Sequence, residues 1–210
     1  MPETLHPDIR HFIASIPETQ YHPDEALPFP VRNKTFRKNQ VITRYGQIER
    51  YAYFLKSGMV KISMRVEKPA PKSTKGKSKK KESVIIERIL EFFFPGSFFS
   101  AYTSFLTGEA SDVEVVALTD CEVEVLEVNE MKASYKHSLI ANQLRADRAE
   151  YYYKHKTRRE KEFLTLSPKV RYYQLFHSRP EMVQKLSVTQ LANYLGVARQ
   201  TLSRIRSEGE

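Results

Sequence analysis

Between residue 36 and residue 128 the chain alternates apolar and polar positions with period two, and after Asn129 that rhythm stops. Val41 and Ile42 precede a turn at Tyr45-Gly46, and residues 51–55 read as a buried strand ahead of a turn at Ser57-Gly58. Val60, Ile62, Met64 and Val66 then alternate with Lys61, Ser63 and Arg65, the signature of a half-buried strand. Residues 84–94 resume the pattern. Pro95-Gly96 opens a compact segment through Gly108, and two more alternating stretches follow. One places Val113, Val115 and Ala117 inward; the other sets Cys121, Val123 and Val125 against Glu122 and Glu124. Short strands with turns at this spacing predict an antiparallel β-roll, a closed or double-sheet jelly-roll-like structure.

Elsewhere the periodicity is helical. Ile9, Phe12 and Ile13 share one side of a short helix in an otherwise Pro-rich N-terminus. Residues 130–165 lack Gly and Pro and are rich in helix formers, which predicts one long helix or two consecutive ones. Their apolar stripe is partial: Ala141, Leu144, Tyr151, Tyr152 and Phe163, interrupted by Arg148, Arg158 and Glu162, so a pure coiled-coil seam is not expected. Ser167-Pro168 supplies an N-cap and an N1 proline for a helix with Val170, Tyr173 and Phe176 on its inner side. The last stretch, residues 185–206, reads as two short helices around a turn at Gly196. Ser187 and Gln190 form a capping box, while Leu191, Ala192 and Leu195 share a face with Val197, Leu202 and Ile205 of the second helix. Ala198, at the second N-cap, has no side-chain oxygen. The class is therefore α+β, in three parts: a β-roll over residues 1–129, a connecting helix over 130–165 and a helical domain over 166–210.

Composition narrows the partners. Forty per cent apolar and eleven per cent aromatic residues indicate a globular protein. No apolar run is long enough to span a bilayer, the polar N-terminus has no signal-peptide core, and a single cysteine, Cys121, excludes an internal disulfide, so a cytoplasmic location is expected. The net charge of +9 is concentrated: residues 68–81 carry seven lysines and no acid, leaving +2 for the rest. Residues 67–82 read as a long, solvated hairpin loop, either a disordered insertion or an auxiliary contact for phosphate or an acidic partner.

The candidate chemistry lies in the final hairpin. A helix-turn-helix places its second helix in the major groove of double-stranded DNA. Arg199, Gln200, Thr201, Ser203, Arg204 and Arg206 fall mostly outside the apolar face, with Ser187 and Thr189 at the start of the first helix. Arg can bond bidentately to guanine and Gln to adenine, while hydroxyls serve base or phosphate. No acid occurs between Glu181 and Glu208. The bland alternative is a helical hairpin with a solvated basic face.

The order of motifs resembles the Crp/Fnr family of bacterial transcription regulators. In the β-roll the resemblance rests on Asn39-Gln-Val-Ile, Gly46, Tyr53-Phe-Leu-Lys-Ser-Gly58, Pro95-Gly96 and Asp120-Cys-Glu-Val, and at the C-terminus on residues 195–204. It implies a cyclic-nucleotide-binding-type β-roll, a dimerisation helix, a homodimer on double-stranded DNA, and an effector whose identity is open, as is contact with RNA polymerase. Two departures stand out. Where cAMP-binding members place Gly-Glu for the ribose and Arg-Ser/Thr for the cyclic phosphate, this chain aligns Ser100-Ala101 and Ser111-Asp112. The candidate effector pocket is thus Phe98, Phe99, Ser100, Ala101, Tyr102, Ser111 and Asp112, whose aromatics either line an apolar cavity or fill the core. Moreover, the chain carries only four residues after Arg206, so no β-wing is expected.

Other classes fare worse. A cupin-like metal site needs clustered ligands, but His6, His11, His22, His137, His155 and His177 are scattered and none lies within residues 36–128. His137 and His155 are formal haem ligands only. Paired carboxylates, a P-loop and an activated nucleophile are missing from the sequence, so neither enzyme activity nor a cofactor is expected. The remaining competitor is an effector-binding or protein-docking module with a vestigial DNA-binding tail.

Overall fold

Asp8 opens the first helix by accepting a hydrogen bond from the His11 amide, and α1 (Ile9–Ala14) buries Ile9, Phe12 and Ile13. The computed structural model describes residues 6–69 and 83–208. Strands β1 (Arg32–Phe36), β2 (Val41–Thr43), β3 (Tyr51–Ser57), β4 (Val60–Pro69) and β5 (Ser83–Phe93) follow. Next come β6 (Phe98–Phe99), α2 (Tyr102–Thr107), β7 (Glu114–Ala117) and β8 (Cys121–Glu127). The strands pair as two antiparallel four-stranded sheets, in the orders β1-β8-β3-β6 and β2-β7-β4-β5. This is the expected jelly-roll-like β-roll.

Alternation explains the layers. Tyr53 and Leu55 of β3 stand opposite Val125 and Val123 of β8 and point into the roll with Phe36, Phe99, Val115 and Ala117. Phe54, on the other face of β3, is covered by Phe12, Phe98, Leu126 and Leu144. Residues 53–55 are therefore all buried, as a strand covered on both faces must be. Gly58 sits at φ +95°, and a Cβ there would lie 2.4 Å from the Asp120 carbonyl oxygen, so neither conformation nor space admits a side chain.

Two expectations are corrected here. The hairpin extends further than the composition suggested: Glu67, Lys68 and Pro69 pair with Ile85, Val84 and Ser83, so residues 67–69 are strand, and the rest of the lysine-rich segment lies outside the described residues. After β8, α3 (Val128–Ser134) and α4 (Leu139–Thr165) are two helices, the second capped by Ser138. The second correction concerns α5 (Pro168–Ser178), capped by Ser167 as expected. Its buried residues are Tyr172 and Leu175, whereas Val170 and Phe176 are 43% and 48% exposed and Tyr173 is half-buried. The reason is the core they meet: Tyr172 and Leu175 pack with Met182, Leu186, Leu191 and Phe92, while Arg171, one turn before Leu175, donates to the carbonyls of Leu166 and Leu195. The Val170–Phe176 side is left facing out.

The chain ends in α6 (Pro180–Lys185), α7 (Val188–Leu195) and α8 (Arg199–Ser207). Their core joins Met182, Leu186, Leu191, Leu195, Leu202 and Ile205 to Tyr172 and Leu175 of α5 and to Ile89, Phe92 and Phe94 at β5. The terminal helices thus share a core with the edge strand of the β-roll.

Candidate nucleic-acid interface

α7 is fixed at both ends by local chemistry. The Ser187 hydroxyl accepts from the Gln190 amide at 3.2 Å, and Gln190 Oε1 accepts in return from the Ser187 amide at 2.9 Å. At the far end Gly196 takes a left-handed φ of +72°, and the Val197 amide donates to the Ala192 carbonyl at 2.9 Å. Gly196 has a second reason to lack a side chain: a Cβ would lie 2.9 Å from the Phe163 ring of α4.

α8 then leaves the turn with Leu202 and Ile205 buried. Arg199, Gln200, Ser203 and Arg204 are exposed on its outer side, and Thr201 and Arg206 are half-buried. Ser187 and Thr189 are exposed at the start of α7, although the Ser187 hydroxyl is already committed to its capping box. Ala198 makes no side-chain cap, so the first amides of α8 stay open to an outside acceptor. Among the described residues no carboxylate lies within ion-pair distance of Arg199 or Arg206. Arg204 is 3.8 Å from Glu208, which also bonds Lys169 at 2.8 Å. That exposed pair is weak and can yield to a phosphate or a base.

Side chains that sequence reasoning overlooked hold this unit in place. Asn193 accepts from the Ile89 amide at 2.8 Å and donates to the Glu87 carbonyl at 3.0 Å, so α7 covers the open edge of β5 as a further strand would. Glu91, in an otherwise apolar run of β5, lies inside the joint. Arg179 donates to its Oε1 at 3.0 Å, the Tyr194 hydroxyl at 3.4 Å, and His155 Nε2 stands 3.3 Å from Oε2. Burial alone would raise the Glu91 pKa, but Arg179, His155 and Arg159 outweigh it and hold the carboxyl below its ordinary range. Arg159 donates to the Tyr194 carbonyl at 2.7 Å and lies 3.7 Å from the centre of that ring. The signal for Glu91 was present as a lone acid between Leu90 and Phe92; nothing in the sequence pointed to Asn193.

The candidate effector residues separate into core and surface. Phe98, Phe99, Ser100, Ala101 and Ser111 are buried, Tyr102 is half-buried and Asp112 is exposed. Phe99 stacks on Tyr53 at 4.9 Å, and Phe98 packs against Phe12 and Phe54. Tyr102 stacks on Tyr152 of α4 at 4.8 Å, and the Tyr152 hydroxyl donates to the Phe98 carbonyl. The Ser100 and Ser111 hydroxyls donate to the carbonyls of Tyr51 and Val113. A cleft of about 570 Å³ opens on the β-roll, but it is lined by residues such as Lys34, Ile42, Glu49, Arg50 and Tyr53 and by none of the candidates. Among the described residues no group of three or more His, Cys, Asp or Glu could hold a metal, and no helix is long and apolar enough to cross a membrane.

Residues 33–138, half of the chain, match the family described as the cyclic nucleotide-binding domain. The chain belongs to that family. No curated protein sequence matches it. Among solved structures it is similar to FixK2 from Bradyrhizobium japonicum, with a TM-score of 0.61 and 18% identity over 85% of this chain and 84% of that one. A putative Crp/Fnr-family transcriptional regulator from Eubacterium rectale gives a TM-score of 0.61 at 14% identity, over 85% and 78% of the two chains. The c-di-GMP responsive global regulator CLP from Xanthomonas campestris gives 0.57 at 19%, over 85% and 86%. This cyclic nucleotide-binding domain protein therefore has the fold of Crp/Fnr-like transcription regulators across both the β-roll and the helices that follow it.

Proposed function

We propose that this chain is a sequence-specific DNA-binding regulator that acts as a homodimer, with α8 as the reading helix and α4 as the dimer element. The observation that carries the reading is the outer side of α8: Arg199, Gln200, Ser203 and Arg204 exposed on a helix whose opposite side is locked in a core. The division into a β-roll at residues 1–129, a connecting helix at 130–165 and a DNA-binding domain at 166–210 belongs to the same proposal. A dimer presents two such helices about one helical turn of DNA apart, or a multiple of it, so the preferred site is a near-palindrome. Genomic binding-site mapping tests this directly. Arg199→Ala and Arg204→Ala each weaken the preferred site by about 1–3 kcal/mol and flatten its base preference. Equal losses on specific and random DNA would mean that both arginines touch only phosphate.

The effector of this regulator is not cAMP. Residues 96–117 contain no Lys or Arg, and a buried cyclic phosphate needs a cationic partner. Ser100 and Ser111 already spend their hydroxyls on backbone carbonyls. Calorimetric titration with cAMP and with cGMP is expected to give no saturable binding at micromolar concentration. A micromolar cAMP isotherm abolished by Ser111→Ala would sink this reading.

A further inference from the structure

A second cavity, of about 470 Å³, lies where α4, α5 and α7 meet, outside the β-roll. Its size is that of a small-molecule site. Four arginines line it, Arg158, Arg159, Arg171 and Arg179, against one carboxylate, Glu162. The charges do not cancel. Arg179 is matched by Glu91 at 3.0 Å and Arg158 by Glu162 at 3.7 Å. Arg159 and Arg171 instead donate to the main-chain carbonyls of Tyr194, Leu166 and Leu195, and among the described residues neither has a carboxylate within 4.0 Å. These carbonyls are neutral groups, so among the described residues the anions acting on the two guanidiniums do so from beyond 4.0 Å: Glu91 on Arg159 and Glu162 on Arg171. Arg171 Nε is in addition buried without any hydrogen-bond partner. Burial first, then the neighbouring Arg159, act against the Arg171 charge, with Glu162 opposing them.

We infer that this cavity binds a phosphorylated small molecule whose phosphate dianion matches the two guanidiniums that have no carboxylate within 4.0 Å. Arg158, 65% exposed at the mouth, guides the phosphate in, and planar guanidiniums suit its oxygens bidentately. Gln174 and Ser178, both exposed on α5, offer neutral polar contacts, and Leu175 a short apolar wall for the organic part. Occupancy ties α5 and α7 to α4 at the joint between the long helix and the terminal helices. The binding itself does not depend on the DNA-binding proposal, and its test contains no DNA.

The full-length protein is titrated with ribose 5-phosphate, with inorganic phosphate and with unphosphorylated ribose, by calorimetry and by thermal melting. Ribose 5-phosphate is expected to saturate one site per chain and to raise the melting temperature, inorganic phosphate to compete with it, and ribose to do neither. Arg158→Glu and Gln174→Glu, both on exposed positions of the lining, each weaken binding about ten-fold or more, and the unliganded melting temperature of each variant is recorded beside the titration so that a change of fold is told apart from a change of affinity. Replacing the lysines of residues 72–81 by Gln is expected to leave the binding unchanged. The inference fails if neither phosphate saturates a site at up to about 10 mM, or if binding ignores Arg158→Glu and Gln174→Glu. It fails equally if binding disappears with the lysines.

Discussion

Glu91→Leu lowers the stability of the folded chain by about 3–5 kcal/mol, because it removes the carboxylate from a buried ionic joint. The Glu91 side chain is only 8% exposed, and Arg179 turns two donors toward this region, one to Glu91 Oε1 at 3.0 Å and one to the Phe92 carbonyl at 3.2 Å. Leucine fills similar space but takes the acceptor from the Tyr194 hydroxyl and leaves the Arg179 guanidinium with the Phe92 carbonyl and the looser 3.7 Å pair with Glu181. The damage is directional. Glu91 belongs to the β-roll, His155 to the long helix, and Arg179 and Tyr194 to the terminal helices, so the substitution loosens the β-roll from the helices packed on it. Denaturant unfolding followed at separate probes in the β-roll and in α7 is expected to show two transitions where the parent shows one. A double-mutant cycle with Arg179→Met measures the coupling, and additive effects would refute the joint.

The same group makes stability depend on pH in two windows. Glu91 is held below its ordinary 4.5, so its contribution is complete above that value and is lost as pH falls through the lower, folded-state pKa. His155 is shifted down from 6.5, by burial first, with Glu91 opposing and Arg179 adding to the fall. The unfolded chain therefore takes up that proton before the folded one does, and stability declines as pH drops below 6.5. In Glu91→Leu the acid window disappears, while the histidine window steepens because the opposing carboxylate is gone. Melting temperatures followed from about pH 7 down to about pH 3 read both changes.

Legibility followed the range of the interactions. The capping box of α7, the turn at Gly196, the alternating strands and the buried face of α1 are set by neighbours within a few residues, and each is readable in the sequence. The inner side of α5 was not. Its residues offer two apolar stripes, and the choice between them is made by the distant side chains that Tyr172 and Leu175 pack against, among them Phe92, Met182 and Leu191. The end of β4 was misjudged for a related reason: Lys and Pro disfavour a strand, yet Lys68 and Pro69 pair across the hairpin with Val84 and Ser83. At α8, periodicity alone identified the exposed row. Its attachment was invisible, since Asn193 meets β5 more than a hundred positions away. A polar residue on a polar side of a helix gives no sign of such a partner.

Phe99→Ala is the second large effect, and it decides what the aromatic segment of the β-roll is for. The Phe99 side chain has no exposed surface, stacks on Tyr53 at 4.9 Å with an interplanar angle of 12°, and also meets Phe93. Truncating a phenylalanine in such a setting costs about 3–5 kcal/mol, the lost transfer energy plus the cavity left behind. A phenylalanine lining a pre-formed ligand cavity behaves differently, because one of its faces already lacks protein contacts and its removal mainly enlarges the hollow. The strand pairing sharpens the distinction. Phe99 lies opposite Tyr53 within a two-residue strand, so the vacated space cannot be filled without shifting β6 against β3. Chemical denaturation of Phe99→Ala is therefore expected to show the full loss, with Phe99→Leu recovering part of it by restoring volume. A loss below about 1 kcal/mol, together with tighter binding of small apolar molecules, would reverse the assignment and make residues 98–102 an effector site. The full loss instead leaves Tyr102 and Tyr152, stacked at the boundary of the roll and α4, as the route by which this segment touches the helix leading to the terminal helices.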